Sequence, residues 1–419
     1  MALKISPQPW MVAPETKAVM AALGSGGSSA RFVGGCVRDA VIGRTATDID
    51  IATPDQPETV MELLGCAGIA CYPSGIEHGT VTATVGEKEF QITSLRVDVE
   101  TNGRHAKVQF TRDWALDARR RDFTINALFC AADGTVYDPF GGVSDLRSGR
   151  VRFVGNPIDR LNEDVLRVLR FFRFFAHYGQ PPADMKALIA CRSMVGALSS
   201  LSRERVRDEL FKLLCARDPA STLSLMKQNR ILGSVLPEAT RLQRLRAMSV
   251  IGAEYSKEFC LRIEPIRRLG AVVDTDAKGA EAIGKSLRLS KADTKRLARM
   301  LSPSHPITAD SDERAQKRSL YLMGKETFVD VVCLAWSEHL SEGYQDWESL
   351  TECYGPMLSR AKEWTAPKLP IDGDDVTAAG VPEGPEVSKV LKRIEDWWLD
   401  GDFKPDREAA LAKLAEYVR

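Results

Sequence analysis

In the stretch FVGGCVRDAVIGRTATDIDIAT, two glycines, an arginine and two aspartates one residue apart fall between Phe32 and Thr53. On a strand, residues i and i+2 point to one face, so Asp48 and Asp50 present paired carboxylates. Two such groups repel unless a cation lies between them, and hard oxygen donors with substrate phosphates suit Mg²⁺. Alone, the pair is a weak signal and reads more readily as a solvated acidic strand edge. Gly34, Gly35 and Arg38 shift the balance. A strand–Gly–Gly–helix turn lets backbone N–H groups approach phosphate oxygens, and an arginine one turn later adds charge-assisted bonds. The combination suits a triphosphate held beside a metal ion.

Further along, RRRDFTIN places Arg119, Arg120, Arg121, Asp122 and Asn126 in what reads as two helical turns, with Phe123 and Ile125 as a core face. In NEDVLRVLRFFRFF, at 100° per residue, Glu163, Arg167 and Arg170 fall within about 60° of one another, bordered by Asp164 and Arg173. Such a stripe is often a salt-bridged solvated face, with Glu163 supporting Arg167 at i,i+4. Three arginines on one face nevertheless repel unless an anion covers them, and a triphosphate would do so. Asp164 and Arg167 fit a sharper chemistry. Cytosine and adenine both present an amino group beside an unprotonated ring nitrogen. A carboxylate accepts from the first and a guanidinium donates to the second. Uracil and guanine present a carbonyl and a ring N–H, so both contacts fail and buried polar groups stay unpaired. LSRERVRDEL follows, with Ser202 as an N-cap and Arg205 as a brace for the preceding helix.

These residues need elements to hold them. Alternation and β-branched runs predict strands at Arg31–Val33, in TDIDIAT and on both sides of GEKE; PETVMELLGCAG predicts a helix. From about Leu161 onward the period is helical. The fold class expected is α+β: a head with a mixed sheet over 1–154, then an all-α half. The helical half divides into a neck over 155–220, a body over 221–301 and a tail over 314–419, with SPSHPITADSDER as linker. The 419 residues carry 57 basic and 57 acidic side chains, so no global polycation attracts nucleic acid and any such contact must be local. Nine scattered cysteines without C-x-x-C exclude a zinc ribbon or disulfide framework and fit a reducing compartment. No signal peptide and no run of ~18 apolar residues is read, so the expected location is cytoplasmic and no membrane partner is expected.

The chain resembles the class II tRNA nucleotidyltransferases (CCA-adding enzymes) and their bacterial poly(A) polymerase relatives. The resemblance runs from Arg31 to about Leu214 through GGCVRDAVIGR…DID, HGTVT, ITSLRVDVETNGRHAKVQFTRDW, RRDFTINAL, DPFGGVSDL, EDVLRVLRFFRF and SRERVRDEL, in the family's order. The C-terminal part matches loosely, through YLMGKETFVDVVCLAW and GVPEGPEV. The resemblance implies that Asp48 and Asp50 bind two Mg²⁺ ions and that Gly34, Gly35 and Arg38 cradle the triphosphate. It implies phosphate contacts from Arg121, Arg170 and Arg173, and a protein template for C and A at Asp164 and Arg167, with Glu163 orienting Arg167. The implied substrates are CTP and ATP and the implied partner is the tRNA 3′ end. A flexible loop, linked in the family to switching from C to A addition, would lie in DVETNGRHAKVQFTRDW. One departure stands out. Where relatives often carry Glu, this chain has Gln91, which would weaken a third metal ligand; Glu89, on the same strand face, could substitute. The alternatives are a poly(A) polymerase or A-adding enzyme and, in another class, a non-catalytic RNA-binding protein.

Overall fold

The structure is a computed structural model that describes residues 3–46, 48–102, 105–343 and 347–418, with backbone alone over 100–102 and 105–107. It divides into two units, Met1–Arg217 with Ser221–Pro237 and Asp218–Ala220 with Glu238–Arg419.

The first unit opens with helices α1 (Pro9–Val12) and α2 (Pro14–Gly24), then β1 (Arg31–Val33), α3 (Gly35–Val41), β2 (Asp50–Thr53) and α4 (Pro57–Cys66). Strands β3 (Ala70–Gly75), β4 (Thr80–Val85), β5 (Lys88–Ser94), β6 (Arg96–Asn102) and β7 (His105–Phe110) follow, then α5 (Trp114–Arg119), β8 (Phe129–Cys130), β9 (Val136–Tyr137) and α6 (Gly142–Arg147). The sheet order is β3-β4-β5-β2-β1-β8-β9, with β6 and β7 as a separate hairpin. Only β2 and β5 pair in parallel, so the sheet is mixed as expected.

Period-two alternation divides the strands between two cores. Phe32, Ile51, Phe90 and Ile92 face α2 and α4, while Val33, Ala52 and Phe129 face the opposite side with Ala118 and Val154. Asp50, two residues before Ala52, therefore stands on this second face, and so does its register partner Gln91. Gly142 makes a close approach possible: a Cβ there would lie 2.1 Å from the carbonyl oxygen of Thr124. No side chain fits, and α6 packs directly on the turn that follows Asp122.

Helices α7 (Pro157–Glu163), α8 (Arg167–Tyr178), α9 (Met185–Ser193) and α10 (Arg203–Leu214) follow in the first unit. A ladder of rings fixes α8 on the head. Phe123 meets Phe153 at 4.8 Å and Phe174 at 5.2 Å between centroids, and Phe153 meets Phe171 at 5.9 Å.

Two expectations need correction. RRRDFTIN is not two helical turns: α5 ends at Arg119 and only a 3₁₀ turn over Thr124–Asn126 follows. Likewise EDVLRVLRFF is not one helix. Asp164 is extended (φ −153°, ψ 108°) and its Oδ1 accepts the Leu166 N–H at 3.1 Å, so α7 stops before it and α8 starts three residues later. A short carboxylate side chain that bonds nearby backbone competes with helix, which is the physical reason for the break.

The second unit is helical. Phe328, Trp336 and Tyr354 are fully buried in it. Asp330, also fully buried, accepts at 2.6 Å from Nε of both Arg267 and Arg296. A smaller C-terminal cluster gathers Ile371, Val376, Ile394, Ala410 and Leu414. Among the described residues no helix is long and apolar enough to cross a membrane.

Candidate nucleotide-binding site

Gly34 ends β1 with φ +72°, a conformation costly for any residue with a Cβ, and its N–H is tied to the Leu128 carbonyl at 3.0 Å. A Cβ on Gly34 would lie 3.6 Å from Nη1 of Arg121. The bare backbone thus leaves that guanidinium edge open. A cavity of about 420 Å³ begins here. It is lined by Gly34, Gly35, Arg38, Asp50 and Arg121 from the head, and by Asp164, Arg167, Arg170 and Arg205 beyond it.

Each arginine is held by acceptors that leave part of it free. Asp117, almost fully buried, accepts from Arg120 Nε at 2.9 Å and from Arg121 Nη2 at 3.0 Å. Burial would raise the Asp117 pKa, but Arg121 and Arg120 outweigh it and hold the carboxyl below its usual value. Asp117 also receives the Arg96 N–H at 3.3 Å, which ties the start of the β6–β7 hairpin to these arginines. The flexible loop expected there includes Gly103 and Arg104, which lie outside the described residues.

Asp122 is the second buried anchor. Its Oδ1 accepts from Asn126 Nδ2 at 3.0 Å and its Oδ2 from Arg170 Nε at 2.7 Å. Asn126 Oδ1 in turn accepts from Arg38 Nη1 at 2.7 Å. Burial opposes ionisation of Asp122; Arg170, Asn126 and Arg167 overcome it and lower the pKa. Arg38 also donates to both oxygens of Asp39 at 3.0 Å.

The base-reading pair expected from the sequence lies on the same cavity. Arg167 Nη1 donates to Glu163 and to the Arg160 carbonyl, the latter at 2.9 Å, and Nη2 reaches the Arg120 carbonyl at 3.4 Å. Its Nε–H and one Nη2–H meet no acceptor among the described residues. Asp164 Oδ2 accepts from Arg205 Nη2 at 2.6 Å. Each Asp164 oxygen keeps a lone pair for a further donor. Arg160, which sequence reasoning missed, shares Glu163 with Arg167.

Asp48 is exposed, just before β2, and Asp50 is half-buried at its first position. Burial is the main reason the Asp50 pKa lies above the usual carboxylate value; Arg121 opposes the shift and Asp48 adds to it. A like-charged neighbour that raises a half-buried carboxylate is the situation a cation relieves, so the donor set fits Mg²⁺. Gln91 sits beside Asp50 in the register, whereas the Glu89 carboxylate accepts the Tyr72 hydroxyl at 3.3 Å. Among the described residues no third His, Cys, Asp or Glu joins a metal-holding group.

Two candidates do not line this cavity: Asp48, exposed just before β2, and Arg173. Arg173 turns to Glu209, with Nε 3.1 Å from Oε2, and faces a neighbouring cavity instead.

Comparison with known proteins places the chain in a family. Residues 30–152 match the family described as the poly A polymerase head domain, and residues 184–242 the one described as a probable RNA and SrmB-binding site of polymerase A. A crystal structure of the Bacillus stearothermophilus CCA-adding enzyme in complex with CTP aligns at a TM-score of 0.77 and 25% identity, covering 98% of each chain. The CCA tRNA nucleotidyltransferase 1, mitochondrial, of Homo sapiens is 31% identical over 92% of this chain and 86% of its own. Its counterpart in Danio rerio is 30% identical over 92% of this chain and 87% of its own. The resemblance read from the motifs is borne out, and the chain belongs to the CCA tRNA nucleotidyltransferase family.

Proposed function

We propose that the enzyme extends the 3′ end of tRNA by C, C and A, taking CTP and ATP and releasing pyrophosphate, with the nucleotide seated in the 420 Å³ cavity. The observation that carries this reading is that Asp164 and Arg167 share one cavity with Gly34, Arg38, Arg121 and Arg170. A base-edge reader and a phosphate cradle face the same space.

The roles follow from the contacts. Asp164 accepts from the amino group of C or A, and the free N–H groups of Arg167 donate to the adjacent ring nitrogen. Arg205 and the Leu166 N–H hold the carboxylate; Glu163 and two backbone carbonyls hold the guanidinium. A wrong base sets a carbonyl against Asp164 and an N–H against Arg167. Arg121, Arg38 and Arg170 orient the triphosphate and take up its charge, each kept in place by a buried acceptor. Asp48 and Asp50 would hold two Mg²⁺ ions. When bound, these activate the RNA 3′-hydroxyl and stabilise the departing pyrophosphate. No side-chain nucleophile is required. The nine cysteines are all free, which supports a reducing, cytoplasmic setting.

The test is incorporation with Mg²⁺ into tRNA transcripts ending before CCA, after C and after CC, with CTP, ATP or both, and a generic RNA as control. Ordered C, C, A confined to tRNA is expected. Long A tracts on generic RNA would make the protein a poly(A) polymerase, and a folded protein without incorporation would make it a binding protein.

Arg205 is assigned as a positioning residue through its bond to Asp164. Arg205→Ala should lower kcat/KM for both CTP and ATP about tenfold and weaken discrimination against UTP, with the thermal midpoint nearly unchanged. Retained discrimination would return Arg205 to a purely structural role.

A further inference from the structure

On the far side of Arg38 and Phe174 from the nucleotide lies the second cavity, of about 240 Å³. Its walls are Arg38 of α3, Arg173, Phe174, His177 and Tyr178 of α8, and Lys212 of α10. At ~30 Å³ per molecule it has room for about eight waters. The two cavities share Arg38 and Phe174 as a common wall.

The lining is built for an anion. The Arg173 side chain is only 13% exposed, stacked 4.2 Å from the Phe174 ring centre, and paired with Glu209. No acceptor among the described residues meets its Nη1 or Nη2, and none meets the Lys212 ammonium. Arg38 keeps one N–H on each Nη after bonding Asp39 and Asn126. Arg44 adds a fourth cation: its Nη2 donates to the His177 carbonyl at 3.1 Å. The carboxylates beside them are already engaged: Asp122, which also acts on Arg173, is bonded to Arg170. Asp39 accepts from Arg38 and from the Tyr178 hydroxyl at 2.9 Å, and Glu209 pairs with Arg173 and Arg170. His177 reports the same field. Its Nε2 donates to the Lys212 carbonyl at 2.8 Å. Burial first, then Arg173, Arg44 and Arg38, push its pKa down, so the ring stays neutral among cations.

We infer that this cavity is a second anion subsite, which takes inorganic pyrophosphate as it leaves the nucleotide cavity. The inference rests on the transfer reaction proposed above for the first cavity. A diphosphate is compact enough for the space, and its charge answers the surplus of cations. Arg38 touches both cavities, so the leaving group passes from Arg38 to Arg173 and then to the exposed Lys212 without facing solvent uncompensated.

The test is calorimetric titration of pyrophosphate into the full-length protein saturated with CTP, in the absence of RNA so that no transfer occurs. One equivalent should bind while CTP fills the first cavity. Lys212→Glu, outside the nucleotide cavity, should weaken that binding about tenfold or more and leave CTP affinity unchanged. In turnover with CC-ended tRNA and ATP, part of the pyrophosphate inhibition of the parent should resist high ATP, and Lys212→Glu should make it purely competitive. Absence of pyrophosphate binding beside CTP, or equal affinity in Lys212→Glu, would overturn the assignment. Displacement of the pyrophosphate by CC-ended tRNA would also overturn it, by giving these cations to an RNA phosphate. Failure of CTP itself to bind would instead count against the first cavity's function.

Discussion

Replacing Asp50 by Asn should cut nucleotide incorporation about a thousandfold or more while the protein stays folded. The amide is nearly isosteric, so β2 and its pairing with Gln91 should persist. What is lost is a charged hard-oxygen ligand, and metal stabilisation of a transition state is worth several kcal/mol, about 10³ in rate. Stability should not fall. Burial raises the folded-state pKa of Asp50 above its unfolded value, so at neutral pH its ionised form works against folding. The neutral Asn removes that cost. Thermal unfolding without metal, alongside incorporation, checks both halves. More than a tenth of parental activity in the variant would overturn the metal assignment.

Arg167→Ala should relax the choice of base. A site built to hydrogen-bond one pattern rejects the wrong partner by ~10⁴–10⁵ because polar groups are left unpaired, and removing the donor should erase about a hundredfold of that. The loss should be larger in discrimination than in overall rate, since Arg38, Arg121 and Arg170, the proposed phosphate contacts, remain in place. Competition between CTP and UTP on tRNA ending before CCA measures it. Unchanged rejection of UTP would refute the base-reading role. Glu163, left without Arg167, still has Arg160 as a partner, so the helix end should remain intact.

The parts legible in the sequence were those whose geometry is local. Asp50 and the Gly34 turn depend on strand alternation and on one positive φ, and both leave marks within a few residues. The sheet and the helical half were likewise visible in their periods. The break at Asp164 was not, because the hydrophobic pattern runs on through it and only a side-chain-to-backbone bond ends α7. Nor was the diversion of Arg173, since on a helical wheel it borders the same stripe as Arg170. Its partner Glu209 lies on α10, and no pattern within α8 points there. Asp117 and Asp122 were hidden for the same reason. Their importance lies in whom they hold across tens of residues, and a single carboxylate in a basic run reads as surface charge.

One buried carboxylate gives the cavity a further property. Asp122 touches Asn126, and through it Arg38, on one side and Arg170 on the other. Arg170 is one turn from Arg167, on the same helix. The residues proposed to read the base and those proposed to hold the phosphates thus hang from a common support, so a shift of one set would pull on the other. On the proposed roles, a mismatched base that displaces α8 would also move the triphosphate out of line, and a misplacement of 1 Å can cost about a hundredfold in rate. On those roles, errors would be filtered twice with one set of contacts: once as the nucleotide binds, and again as slow chemistry for whatever slipped in.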